Sequence, residues 1–310
     1  MFRACAGPAT CAAALALLAG GCGGDDGGGD DERAQVAPAR FADLLARLPV
    51  GERRAIALDV AGARRELGLP ADAEPPAPPD HGTDGARRLR GLVAATVLNY
   101  PIKDNGPLDR AVDYRQVTGL ARVDGPPEVL LIATREPWND LRAGLERGGW
   151  RERRDGVLER PAGPELRWVA GRDGFVVAAG DPAVPRAVLQ GRTRTAPPLR
   201  ALLTAADGPA RAARLSDTGS GCVRAFGVSY SPAAAAGRFL VAVDAVPPLA
   251  FRLRAVPGKR LPGGYETQTP RAAGGRVDVP FTFEASTDPA VQPASLALGS
   301  SPYFAYRCGR

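Results

Sequence analysis

Few side chains in this chain are placed for chemistry, and none stands in a complete catalytic arrangement. Asp217-Thr218-Gly219-Ser220 spells the tetrapeptide on which paired-aspartate proteases present a carboxylate. That chemistry needs two carboxylates sharing a proton, hence a second motif or a homodimer. No second copy exists, and Leu215-Ser216 offers one apolar residue where an apolar strand should lead in. Asp, Thr, Gly and Ser together also make common turns, and a turn is the reading adopted. The single histidine, His81, lies in a proline-rich loop. A general base there has no nucleophile in a recognisable setting, since no G-x-S-x-G elbow occurs. Gly23 to Gly29 is glycine-rich, but no strand precedes it as a phosphate loop requires. No cofactor is expected. No metal is expected either: two distant cysteines and one histidine do not supply four ligands, and the aspartates after Gly24 do not match an EF-hand loop.

One stretch stands out by composition. The chain holds three Asn, two Lys and three Ile, a bias typical of a GC-rich genome. Residues with AT-rich codons then persist against mutational pressure, and Asn99 to Tyr114, NYPIKDNGPLDRAVDY, concentrates them. Asn99, Tyr100, Lys103, Asn105, Asp109, Asp113 and Tyr114 are therefore the candidate binding surface, with Asp109, Asp113 and Tyr114 as its polar contacts. The competing reading is a helix-to-helix connection, in which Asn105-Gly106 turns the chain and the tyrosines pack.

The N-terminus positions all of this in the cell. Arg3 is followed by an apolar stretch, Ala12 to Ala19, far shorter than the ~20 residues of a membrane span. Charge, short apolar run and small residues are the order of a signal peptide, here residues 1–21. Leu18-Ala19-Gly20-Gly21-Cys22 resembles a bacterial lipobox, in which the cysteine is lipidated and becomes the new N-terminus, with palmitate among the chains carried. Ala19 stands where leucine is commonest; the alternative is an ordinary secretory signal cut nearby. The following GGDDGGGDDER has nothing apolar to bury, so residues 22–37 read as a lipidated cysteine and a disordered tether on the order of 20 Å long.

Cleavage would remove Cys5 and Cys11 and lipid would occupy Cys22, leaving Cys222 and Cys308. In an oxidising compartment a Cys222–Cys308 disulfide is the simplest accounting, and it would bring SPYFAYRC beside CVRAFGVSY. Removing Arg3 with the signal, and Asp25, Asp26, Asp30, Asp31, Glu32 and Arg33 with the tether, leaves 38 basic and 29 acidic residues, about +9. Outside the membrane such a charge faces anionic lipid or wall polymer, and nucleic acid is not expected as a partner. Clusters such as Arg87-Arg88-Arg90 and Arg151-Arg153-Arg154 read as solvated surface.

The elements beyond the tether alternate short helices with hairpins. Phe41, Leu44, Leu45 and Leu48 make one helix face; Leu89, Leu92, Val93, Thr96, Val97 and Tyr100 make another. Asp155-Gly156 and Asp173-Gly174 are turn signals between short strands, and the doubly apolar Phe175 to Ala179 should be a central strand. Past residue 210 the pattern is mostly strands, at 222–230, 238–246, 249–256, 276–285 and 302–308. The expectation is an α+β fold of antiparallel sheets built from hairpins, short helices on one face, with an α+β lobe at 38–210 and a mainly-β lobe at 211–310, or one large core.

The run DLRAGLERGGW, then DGV, then WVAGRDGFVVAAGDPAVPRAVL is similar to a unit recurring in uncharacterised envelope lipoproteins of high-GC Gram-positive (actinobacterial) bacteria. It covers about a quarter of the chain, and its positions are structural: turn glycines, a buried Trp, a capping Asp. The resemblance implies a compartment and a fold, and no activity. The sequence thus points to a lipid-anchored protein on the extracytoplasmic face of the membrane, non-enzymatic, binding a ligand or another envelope protein. A hydrolase using carboxylates alone is the first alternative, a transporter-associated solute-binding protein the second.

Overall fold

The structure, a computed structural model, describes residues 41–49, 54–74, 82–97, 108, 111–124, 128–160, 166–192, 202, 212–216, 223–234, 236–243, 251–253, 260–261, 265–268, 271–273, 276–283 and 306–308. Its helices are α1 (Phe41–Arg47), α2 (Val60–Glu66), α3 (Asp84–Val97), α4 (Trp138–Arg147) and α5 (Ala183–Leu189). The strands of the first half are β1 (Arg54–Asp59), β2 (Val117–Asp124), β3 (Val129–Thr134), β4 (Arg151–Glu152), β5 (Leu158–Glu159), β6 (Trp168–Arg172) and β7 (Phe175–Ala179). Those of the second half are β8 (Ala212–Ser216), β9 (Val223–Ser231), β10 (Ala236–Val243), β11 (Phe251–Leu253), β12 (Arg260–Leu261), β13 (Tyr265–Thr267), β14 (Arg271–Ala273), β15 (Arg276–Phe283) and β16 (Tyr306–Cys308).

The fold is α+β. Among the described residues a 14-stranded sheet runs β12-β13-β15-β10-β9-β8-β1-β2-β3-β7-β6-β5-β4, with β14 also on β15, and β11 pairs β16 apart from it. Neighbouring strands are antiparallel throughout, as at β2–β3, β6–β7 and β9–β10. The sheet continues across residue 210 because β1 pairs β2 on one edge and β8 on the other.

Local chemistry sets the turns. Asp155 and Gly156 both take positive φ, +65° and +74°, in the connection 153–157 between β4 and β5, a left-handed conformation that Gly and Asp adopt at least cost. Gly174, at +86°, closes β6 onto β7. Asp59 caps α2 by accepting from the Gly62 N–H at 2.7 Å, and Asp181 accepts from Ala183 N–H at the start of α5; both satisfy donors that a first helical turn leaves open.

Strand residues alternate between two apolar clusters. Ile56 and Leu58 of β1, Leu120 of β2, and Leu130 and Ile132 of β3 belong to one, with Leu89 and Leu92 of α3 and Leu141 and Leu145 of α4. Ala55, Ala57, Ala121, Val123, Val129 and Leu131 belong to the other, with Leu44 of α1 and Val188 of α5. Helices therefore flank both faces of the sheet, where the hairpin pattern suggested one. The reason lies in the strands: β3 is buried at every position, and β7 from Val176 to Ala179 likewise, so neither face can be left to water. Small residues let the helices approach. A Cβ on Gly119 would lie 2.7 Å from Leu44, and one on Gly171 would lie 2.1 Å from the Trp138 ring.

One expectation is altered. β9 has both edges taken, by β8 and β10, and β16 pairs β11 with Cys308 opposite Phe251. The C-terminal strand is thus not the hydrogen-bonded neighbour of β9; Cys222 and any bond it makes lie outside the described residues. Residues 212–216, which the strand pattern did not include, form β8. Register against β1, with Ala57 opposite Ala213, outweighs their weak intrinsic preference. Asp217 to Ser220, His81, Cys22 and the whole tether lie outside the described residues.

Candidate functional site

Of the candidate surface, Asp113 and Tyr114 are described; Asn99, Tyr100, Lys103, Asn105 and Asp109 lie outside the described residues. Asp113 and Tyr114 sit in a turn entering β2, held by Gln116 N–H donating to the Asp113 carbonyl and Val117 N–H to that of Tyr114. Leu108 and Val112, both 6% exposed, fix the turn to the first cluster, and the half-buried Tyr114 packs beside them. The tyrosine is therefore partly packing.

The residue that organises the turn was not singled out from the sequence. Arg64 of α2 is 1% exposed. Its Nη1 donates to the Val117 carbonyl at 2.7 Å, Nη2 to that of Tyr114 at 2.8 Å, and Nε to that of Ala73 at 3.0 Å. A planar guanidinium presents donors in fixed directions, so one side chain ties α2 to two other segments. Burial lowers its pKa, the Arg135 charge adds to this, and Asp72 and Asp113 oppose it; an arginine so placed keeps its charge. The signal available was position: Arg64 falls four residues after Val60, on the inward stripe of α2.

The carboxylates around the turn are in contrasting states. Asp113 accepts from both Nε and N–H of Arg115 at 3.0 Å, and Arg115 also reaches Glu74 at 3.5 Å. The Arg115 hydrogen bond, against some burial, holds the Asp113 carboxyl below its ordinary range. Glu136, just before α4, accepts from the Asp113 N–H at 3.4 Å. Burial pushes its carboxyl up, and the charges of Asp113 and Asp140 push the same way. One carboxyl held low beside one pushed up is the division of labour that acid–base chemistry uses. Among the described residues, no group of three or more His, Cys, Asp or Glu side chains is placed to hold a metal ion.

A second polar junction joins the helices to the β9–β10 turn. Glu66 accepts from the Ser231 hydroxyl and from Ala233 N–H, and Arg88 donates to the Pro232 carbonyl at 3.0 Å. Between them Tyr230 is 2% exposed, and burial raises its hydroxyl pKa to about 12. These contacts are structural: they bind α2 and α3 to strands more than 140 residues away in the chain.

Two outcomes follow. Arg64→Met leaves three carbonyls without their donor and should lower unfolding free energy by about 3–5 kcal/mol; Arg64→Lys, with no fork, should recover little of it, both read by urea denaturation. For Glu136, a raised carboxyl pKa means that the fold binds the proton more tightly than the unfolded chain does. Its ionised form then opposes folding above its ordinary value of 4.5, and the opposition vanishes below it. Glu136→Gln should raise Tm near neutral pH, with the gain fading as pH falls toward about 4.5 and absent below it; a gain independent of pH would contradict this.

No family model matches the chain, and no curated protein matches it. Among solved structures the chain is similar to TP0453, a treponemal protein. For crystal form III of TP0453 the TM-score is 0.44 at 10% identity, covering 83% of this chain and 98% of that one. For crystal form IV it is 0.45 at 10% identity, covering 82% and 94%. Likeness at this level carries no statement about activity.

Proposed function

We propose that this chain is an extracytoplasmic lipoprotein, anchored through lipid on Cys22, whose folded body is a non-enzymatic ligand- or protein-binding component of the cell envelope. The observation that carries the reading is Leu18-Ala19-Gly20-Gly21-Cys22 after a short apolar run and before a Gly/Asp segment. Such a run is too short to span a bilayer, so retention at the membrane needs the lipid. No helix among the described residues is long and apolar enough to cross a membrane. Arg64 and Arg115 are engaged in holding the Asp113 turn. The same compartment makes Cys222–Cys308 a disulfide.

The test is retention. The parent should incorporate labelled palmitate and stay with membranes through a high-salt wash. Cys22→Ala should do neither; a variant still bound after that wash would overturn the anchor. Mass spectrometry after alkylation without reductant should find Cys222 and Cys308 protected.

A second reading, a hydrolase using carboxylates alone, is favoured by the opposed shifts of Asp113 and Glu136. Under it, the parent releases new reducing ends from cell-wall glycan and Glu136→Gln does not. A parent without such release excludes this chemistry on that substrate.

A further inference from the structure

We propose that the open β4–β5–β6 edge of the sheet is a binding surface for a linear phosphodiester polymer of the cell envelope. Its centre is a pair of arginines set opposite each other. The β5–β6 ladder continues one residue beyond the strands, where Arg160 N–H donates to the Arg167 carbonyl at 3.0 Å. Residues so paired hold their Cβ atoms about 5 Å apart, and like charges there work against the sheet. Neither guanidinium, nor that of Arg151 on β4, forms an ion pair among the described residues. The carboxylates nearby are engaged elsewhere: Glu159 with Arg153, Glu152 with Arg142 and Asp155 with Arg186, each at 2.6 Å. Arginines without a task settle where they cost nothing. Two opposed across a ladder carry a cost that a bound anion offsets.

Geometry selects the occupant. Arg151, Glu159 and Trp168 lie in one cross-strand row. Side chains alternate along a strand, so Arg160 leaves the sheet on the opposite face from Glu159. A flat bilayer meets one face, whereas a flexible chain folding over the last strand reaches both. Among the described residues β4 ends the sheet order, and its Arg151 and Glu152 are exposed, so that path is open. Blunting an edge against stray strands accounts for Arg151 but not for an opposed pair set further in. Beside the pair stands the half-buried Trp168, with the Arg167 guanidinium carbon 5.3 Å from its ring centroid. A guanidinium takes a phosphate through two parallel N–H donors, and the indole offers apolar surface to the polyol or sugar link between phosphates. The class of polymer rests on the extracytoplasmic reading, under which wall polymer, and not nucleic acid, surrounds the folded body.

The experiment titrates the full mature chain carrying Cys22→Ser against fluorescently labelled poly(glycerol phosphate), followed by anisotropy. This chain should bind, and binding should weaken with salt as counterions return to the polymer. Arg151→Gln/Arg160→Gln/Arg167→Gln should weaken it at least about 20-fold. The slope of log affinity against log salt should fall by about 2, at ~0.7 per lost contact. Arg65→Gln/Arg135→Gln/Arg271→Gln makes an equal change of charge at exposed positions elsewhere, and should leave affinity within about threefold. Because the opposed pair costs stability, the first variant should keep or raise Tm; a clearly lowered Tm would make the arginines part of the fold and overturn the site. Equal losses in the two triple variants would reduce the effect to net charge and overturn it too. Tighter binding to phosphatidylglycerol vesicles than to the polymer would overturn the polymer as occupant. Free glycerol phosphate competing at matched phosphate concentration would do the same and leave a simple anion site. Palmitate labelling of the parent is read separately, so a labelled parent with a Cys22→Ser chain that ignores the polymer sinks this surface alone. An unlabelled parent with a chain that binds it sinks the anchor alone.

Discussion

Strand β1 is the constraint on which the sheet depends. It has six residues and is hydrogen-bonded along both edges. Its partners come from far along the chain, β2 at 117–124 and β8 at 212–216. Closing such distant pairings orders long loops before any contact repays them. The alternation Ala55, Ile56, Ala57, Leu58 then decides what lies above and below. Large side chains point to the face of α2 and α3, and alanines point to the face of α1. Gly119 and Ala133 continue the shallow side, which is why α1 can lay Leu44 directly on the sheet. One short strand thus joins the halves and sets the depth of both layers.

Around that strand the polar groups act mainly as fasteners. Arg64 holds carbonyls at both ends of the 114–117 turn, and Glu66, two residues on, holds the β9–β10 turn. Helix α2 therefore carries a cation that donates to backbone carbonyls and a carboxylate that accepts from a hydroxyl and a backbone N–H.

Much of this was legible from residues alone. The Asp173-Gly174 turn and the central position of Phe175 to Ala179 each follow from a local rule, and the structure has them where those rules put them; Asp155-Gly156 turns the chain within a longer connection, 153–157. The strand β8 was not legible, because AARLS has no alternation and an Ala/Arg composition that suits a helix equally. Only its register against β1 and β9 makes it a strand. The second helical layer was missed for a related reason. Alanine and glycine facing α1 look like weak hydrophobicity in sequence, yet they mark a surface that a helix approaches closely. Arg64 was hidden by kind: an arginine beside Arg65 on a seven-residue helix reads as solvated, and only the surrounding carbonyls make its burial favourable.

The packing of Trp138 against Gly171 belongs to a wider asymmetry. The three tryptophans, at 138, 150 and 168, all lie among α4, β4 and β6, toward one end of the sheet order. Indole emission therefore watches that end and is blind to β9, β10 and β15. Tyrosine 230, buried at the other side of β1, supplies an independent optical handle there. The molecule thus carries two built-in probes separated by its central strand, and the degree to which their unfolding curves coincide measures how far cooperativity passes through six residues.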